Sequence, residues 1–176
     1  MTVIGITGPT GAGKTTVLKE IEALGGAVID CDAVYHEMLE SDRALQESLE
    51  RAFGPLRDGQ GAIDRKKLGA LVFGDPAKLE RLNAIAQRAV VQRTRQMVKE
   101  NRSRGIGLTA IDAFALLESG LADLCTTTVA VLAPAEARVA RIMDREGISE
   151  DYAWARVRAQ RPDQFFAEGC AHILYN

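Results

Sequence analysis

Residues 5–17 read GITGPTGAGKTTV, and within them Gly8, Gly13, Lys14 and Thr15 satisfy the pattern GxxxxGK[ST] in full. Before it, Val3 to Ile6 form a short apolar run bounded by glycine, the pattern of a strand buried on both faces of a parallel sheet. After it, Val17, Leu18, Ile21 and Leu24 recur at helical spacing, and Gly25 stands where a left-handed residue ends a helix. Strand, glycine loop and helix in that order form a phosphate cradle. Gly11, Ala12, Gly13, Lys14, Thr15 and Thr16 are the candidate ATP-binding residues of the loop: its glycines let backbone N–H groups turn inward around phosphate oxygens, and the helix N-terminus adds partial positive charge. Lys14 reaches the β and γ phosphates, and the Thr15 hydroxyl is the candidate ligand of Mg²⁺. The competing structural reading is a glycine turn that only links strand to helix.

Working outward, Ala27 to Ile29 make a second short strand, followed for about seventy residues by helical patterns with no convincing strand. Leu79, Leu82, Ile85, Ala89 and Val90 trace one face of a long helix whose charged tail is stopped by Gly105. GIGLTAID reads as a third buried strand ending at Asp112, and TTTVAVLA, residues 126–133, as a fourth. Pro134 suits the first turn of the next helix, which Val139, Ile142 and Met143 would bury. Ser149 is placed to cap another, with Glu150 and Asp151 near its positive end. AHILYN is a fifth strand.

Strands alternating with helices give an α/β fold with a five-stranded parallel sheet, whose ligands gather at the carboxyl ends of the strands. The glycine loop, Asp30, Asp32 and Asp112 all fall at such ends. VIDCDAVYH, residues 28–36, places two carboxylates around Cys31, and extended backbone would send Asp30 and Asp32 to one side and Cys31 to the core. Phosphoryl transfer is mostly positioning and charge neutralisation, so a kinase needs a group to hold the acceptor hydroxyl and receive its proton. Asp32 is the candidate, although an aspartate here also suits the cap of the helix beginning near Ala33. His36, four residues on, would share a helix face with Asp32.

The formal net charge of -2 over 176 residues leaves no global basic footprint for nucleic acid. The length suits one domain. Three widely spaced cysteines favour neither a disulfide framework nor structural zinc, which suits a cytoplasmic setting. The N-terminus lacks the n- and h-regions of a signal peptide, and no stretch approaches the roughly 20 apolar residues that span a bilayer. Nothing signals a membrane or an obligate protein partner. The guanine-reading NKxD and the DxxG of GTP switches are missing from the sequence.

TGPTGAGKTTV, VIDCDAVYHEML and GAIDRKKLGALVFGDPAKLERLNAI together resemble the dephospho-coenzyme A kinase family in order, spacing and residue type. IDAFALLESGL is similar to that family's DxPLLxE segment, RIMDREGIS to its lid, and RVRAQRP with HILYN to its RxxxQ and terminal strand. The resemblance runs essentially end to end. It implies transfer of the ATP γ-phosphoryl group to the ribose 3′-hydroxyl of dephospho-coenzyme A, with Asp32 as base. It also implies a single P-loop kinase domain with its core at residues 1–31 and 106–176, a helical substrate-binding insertion at about 32–105, and a lid at about 138–160. Arg138, Arg141 and Arg145 form a cationic stripe at spacings of three and four. By the resemblance Arg141 is first choice for the transferring phosphate and Arg145 second, while Glu118 matches the family's acid on the substrate side. A solvated charged face is the alternative for the stripe. Gln87-Arg88 stand where the family usually has His-Pro, and Phe114 takes the place of a proline. Family members commonly run on for roughly another helix past the position of Asn176. A related nucleoside or nucleotide kinase and a non-catalytic nucleotide switch are the competing functions.

Overall fold

The computed structural model describes residues 1–176. They divide into two compact units, Met1–Ile29 with Met97–Asn176, and Asp30–Gln96.

The first unit is built on a five-stranded sheet of order β2-β3-β1-β4-β5, with β1 Thr2–Thr7, β2 Ala27–Asp30, β3 Leu108–Asp112, β4 Thr127–Leu132 and β5 His172–Tyr175. β1 pairs in parallel with both β3 and β4, and β4 with β5. The carboxyl ends of these strands therefore share one edge. Helix α1, Lys14–Ala23, lays Leu18 and Ile21 against Ile6, Ala110 and Val131 on one face of the sheet. Gly25 lies in the left-handed region at φ +81°, as expected of the residue closing that helix. The opposite face carries Ala130 and Leu132 against Phe166. Val139 and Ile142 of α6, Ala135–Glu146, bury against Ala153 of α7, Glu150–Arg158. Ser149 caps α7 through Oγ, which accepts from the Tyr152 amide. Pro134 sits one residue earlier than the first helical turn, at the cap of α6. Phe166 itself belongs to α8, Asp163–Gly169.

The second unit is helical: α2 Cys31–Ser41, α3 Arg43–Phe53, α4 Arg65–Val72, and α5 Pro76–Ser103 as far as Gln96. Leu39, Leu45, Leu49, Leu56, Ile63, Leu68 and Val72 form its buried interior. Gln46 is buried among them because its Nε2 donates to the carbonyls of Leu39 and Glu40, which leaves no donor unsatisfied there. No helix in either unit is long and apolar enough to cross a membrane.

One expectation is corrected at β2. The strand continues to Asp30 and α2 begins at once with Cys31, so Asp30 and Asp32 are not alternate residues of one extended segment. The physical reason is capping: an Asp30 Oδ1 accepts from the amides of Asp32 at 2.9 Å and Ala33 at 3.0 Å, which starts the helix before a second pleat can form. Cys31 turns into the core as expected, with Sγ 3.7 Å from Thr94 Oγ1.

Gly8, which leaves β1, has φ +137°, and a Cβ there would run into the carbonyl oxygen of Val131 on β4. Gly8→Ala is expected to cost roughly 2–4 kcal/mol from backbone strain and overpacking together. Urea unfolding checks this: the midpoint should fall with little change in slope, and an unchanged midpoint would contradict the packing described.

Candidate active site

The phosphate loop joins β1 to α1. Gly13 adopts φ +101° as the residue preceding the helix, a conformation side chains other than glycine rarely take. A Cβ on Gly13 would also meet the side-chain amide of Asn176. The loop is closed internally by the Ala12 amide on Pro9 O at 3.2 Å, and the Thr16 amide returns to Gly13 O at 3.0 Å. Lys14 follows directly at the start of α1, its Nζ donating to Gly8 O at 2.8 Å, so its ammonium lies folded over the loop. The Thr15 and Thr16 side chains are exposed in the first turn.

Three successive loop carbonyls are held from outside. Thr10 O accepts from Arg138 Nε at 3.1 Å, Gly11 O from Arg141 at 3.1 Å, and Ala12 O from Asn176 Nδ2 at 3.0 Å and Arg141 at 3.3 Å. In a trans peptide the carbonyl and the following N–H point opposite ways. Fixing the Thr10 and Ala12 carbonyls outward therefore turns the Gly11 and Gly13 amides the other way, into the concavity that would receive phosphate.

Behind this arrangement sits a buried polar network. Arg138 is 4% exposed, and besides Thr10 it reaches Asp163 Oδ1 at 3.1 Å and Gln160 Oε1 at 2.9 Å. Gln160 Oε1 also accepts the Thr10 amide at 3.0 Å, while its Nε2 donates to Thr10 Oγ1 at 2.7 Å. Thr10 is thus held by its amide, its carbonyl and its hydroxyl. Burial lowers the pKa of Arg138 and the Asp163 carboxylate partly offsets that, but a guanidinium remains charged throughout the working range.

The spacing places Arg138 on one cationic stripe with Arg141 and Arg145, opposite the buried Val139 and Ile142. Arg138 instead turns inward, because Thr10, Gln160 and Asp163 together satisfy its fork. Arg141 lies on the loop, together with Gly11, Ala12, Gly13 and Lys14. Arg145 is directed to Glu146 at 2.6 Å, and Glu146 also takes Arg156. The Arg145 hydrogen bond, with help from Arg156, holds the Glu146 carboxyl below its ordinary pKa. Glu118 pairs loosely with Arg161 at 3.7 Å. Thr10, Gln160, Asp163 and Asn176 were not singled out as site residues. RxxxQ was a signal for Gln160, whereas no spacing pointed to Asn176.

In the helical unit, Asp32 is exposed in the first turn of α2. His36 Nε2 lies 3.1 Å from Arg65 Nη2. A guanidinium only donates, so Nε2 accepts and the ring proton sits on Nδ1 in the neutral imidazole. Tyr35 beside it has its phenol pKa raised by burial, with the Arg65 charge opposing.

A family model described as dephospho-CoA kinase matches residues 2–176. A dephospho-CoA kinase of Dehalococcoides mccartyi is 36% identical over 164 residues, covering 93% of this chain and 82% of its own. The crystal structure of TT1252 from Thermus thermophilus superposes with a TM-score of 0.76 at 35% identity, over 99% of this chain and 88% of that one. The dephospho-CoA kinase from Campylobacter jejuni has a TM-score of 0.71 at 22% identity, with 99% and 87% covered, a likeness of fold.

Gln160→Leu deletes the contacts to the Thr10 amide and hydroxyl and loosens the loop from behind. The expected outcome is ADP affinity lower by about tenfold, on the scale of one or two hydrogen bonds. Calorimetric titration measures it, with the urea midpoint recorded alongside. Unchanged affinity would show that the network does not orient the loop.

Proposed function

The chain belongs to the dephospho-CoA kinase family, and on that premise we propose that it transfers the γ-phosphoryl group of ATP to the ribose 3′-hydroxyl of dephospho-coenzyme A. The products are coenzyme A and ADP, and the step is the last of coenzyme A synthesis. The observation that carries this reading is a phosphate loop whose carbonyls are held outward by Arg138, Arg141 and Asn176, in a chain that matches the family from residue 2 to 176.

In the reaction, the 3′-oxygen forms a bond to the γ-phosphorus as the bond from that phosphorus to the β,γ-bridging oxygen breaks, and ADP carries away the electron pair. The hydroxyl proton goes to Asp32, whose exposed carboxylate is open to an acceptor. The Gly11 and Gly13 amides and those of the first turn of α1 take up charge on the phosphates, with Ala12 and Thr16 shaping that turn. Lys14 exchanges its Gly8 carbonyl for phosphate oxygens, and Arg141 gives up the Gly11 and Ala12 carbonyls to turn its fork to the transferring group, while Arg138 and Asn176 keep their hold on Thr10 and Ala12. Arg145 is assigned to the nucleotide as well, which requires it to leave Glu146.

Mg²⁺ fits the donors present: it keeps most of its shell as water and phosphate oxygen, and the exposed Thr15 hydroxyl in the first turn of α1 supplies a single oxygen ligand. Bound there, the ion would neutralise β- and γ-phosphate charge. His36 and Glu118 are assigned to the acceptor, residues about 32–105 to substrate binding and about 138–160 to the lid. The family resemblance supports those assignments. A cytoplasmic location accords with three cysteines that stand as thiols.

The test is turnover of dephospho-coenzyme A against a panel of nucleosides, nucleoside monophosphates and small polyols, with ADP release as the readout. Dephospho-coenzyme A alone should raise turnover well above background, and equal stimulation by another acceptor would overturn the substrate assignment. Asp32→Asn should lower turnover by at least about a hundredfold while ATP binding stays within about twofold. Near-normal turnover in that variant would remove Asp32 from its role.

A further inference from the structure

The helical unit contains a cavity of about 500 Å³ walled by α3, by α5 and by the C-terminal part of α2. Its floor is a stripe of α5 at spacings of four, three and four: Arg81, Ile85, Arg88 and Gln92. The facing wall carries Leu45 and Arg51 of α3, and Arg93 completes a set of four guanidinium groups. One carboxylate, that of Asp42, lies among them. It is committed to the start of α3, where its Oδ1 accepts the Leu45 amide at 2.9 Å.

Arg51, Arg81 and Arg88 against one occupied carboxylate leave a local excess of positive charge in a chain whose formal net charge is -2. Arg51 does not relieve it, because its guanidinium rests on Glu47 O and Ser48 Oγ, which are neutral acceptors. Arg81 and Arg88 are exposed and seven residues apart, hence on one side of α5 two turns from each other. Like charges held along one groove repel, and a multiply charged anion removes that repulsion. Guanidinium forks suit phosphate oxygens in particular. Leu45, Ile85 and Met38 give the same cavity an apolar surface, and its volume lies in the range of small-molecule sites.

This is not the position of Asp32. Met38 follows Asp32 by six residues on α2, about 240° around the helix, and is buried where Asp32 is exposed. We propose that the cavity is a separate anion site that takes a phosphorylated small molecule carrying at least two phosphate charges and an apolar or heterocyclic body. The arginines hold the phosphates and the apolar wall holds the body.

Calorimetric titration tests this on the full chain with its phosphate loop saturated by a non-transferable imido analogue of ATP and its acceptor site by coenzyme A. Inorganic diphosphate is the probe in one arm and ADP in the other, so that charge and body are read separately. ADP is expected to bind as one further equivalent, at least about tenfold tighter than diphosphate. In the Arg51→Ala/Arg81→Ala double variant, both probes should weaken by about tenfold or more, the scale of one lost charge-assisted hydrogen bond. Asp32→Asn should leave both unchanged. The proposal is overturned if neither probe binds, if the double variant binds them as the parent does, or if Asp32→Asn abolishes the extra equivalent. ADP binding no tighter than diphosphate would remove the body from the ligand assigned.

Discussion

The outward pull on the carbonyls of Thr10, Gly11 and Ala12 is the constraint from which the rest of the phosphate site follows. A glycine-rich loop is free to turn its peptides either way, and that freedom alone would leave the amides unaimed. Here the reverse side of the loop is gripped by α6 through Arg138 and Arg141, by Gln160 just past α7, and by the side chain of Asn176 beyond β5. The sheet sets those distances. β1 delivers the loop, β4 leads into α6, and β5, paired in register with β4, brings Asn176 to Ala12. Asn176 is itself anchored, its amide donating to Leu132 O at 2.9 Å. A group fixed before ligand arrives need not be reorganised when charge develops, which is the usual source of electrostatic catalysis.

Burying Arg138 to achieve this would be costly if its charge were left alone. Its fork instead meets a carbonyl, a carboxylate and an amide oxygen, each within about hydrogen-bond length. The resulting network is closed, since Gln160 returns to Thr10 by two further bonds. Such a network specifies one arrangement of the loop relative to α6, because any shift breaks several bonds together.

Much of this architecture is legible in local pattern. The loop motif, the apolar runs of β1, β3 and β4, the left-handed glycines after α1 and α5, and the Ser149 cap all depend on neighbours within a few residues. What escaped was set by partners remote in sequence or by competition between two local rules. Arg138 reads as one more member of an outward cationic stripe on α6 until its partners, 128 residues before and 22 after, are known. At Asp30 the rule of strand alternation competed with the preference of aspartate for helix caps, and the cap won by a single residue. The overall charge is equally uninformative about sites, because a net of -2 coexists with arginines gathered at the phosphate loop and in the helical cavity.

The central claim is that the loop presents inward amides to phosphate while its outward carbonyls stay held. A crystal structure of the chain with ADP and Mg²⁺ examines it most directly. The account predicts β-phosphate oxygens about 3 Å from the Gly11 and Gly13 nitrogens, with the Arg138 and Asn176 bonds to Thr10 and Ala12 intact. Phosphate bound elsewhere, or the Thr10 and Ala12 peptides flipped to admit it, would contradict the account.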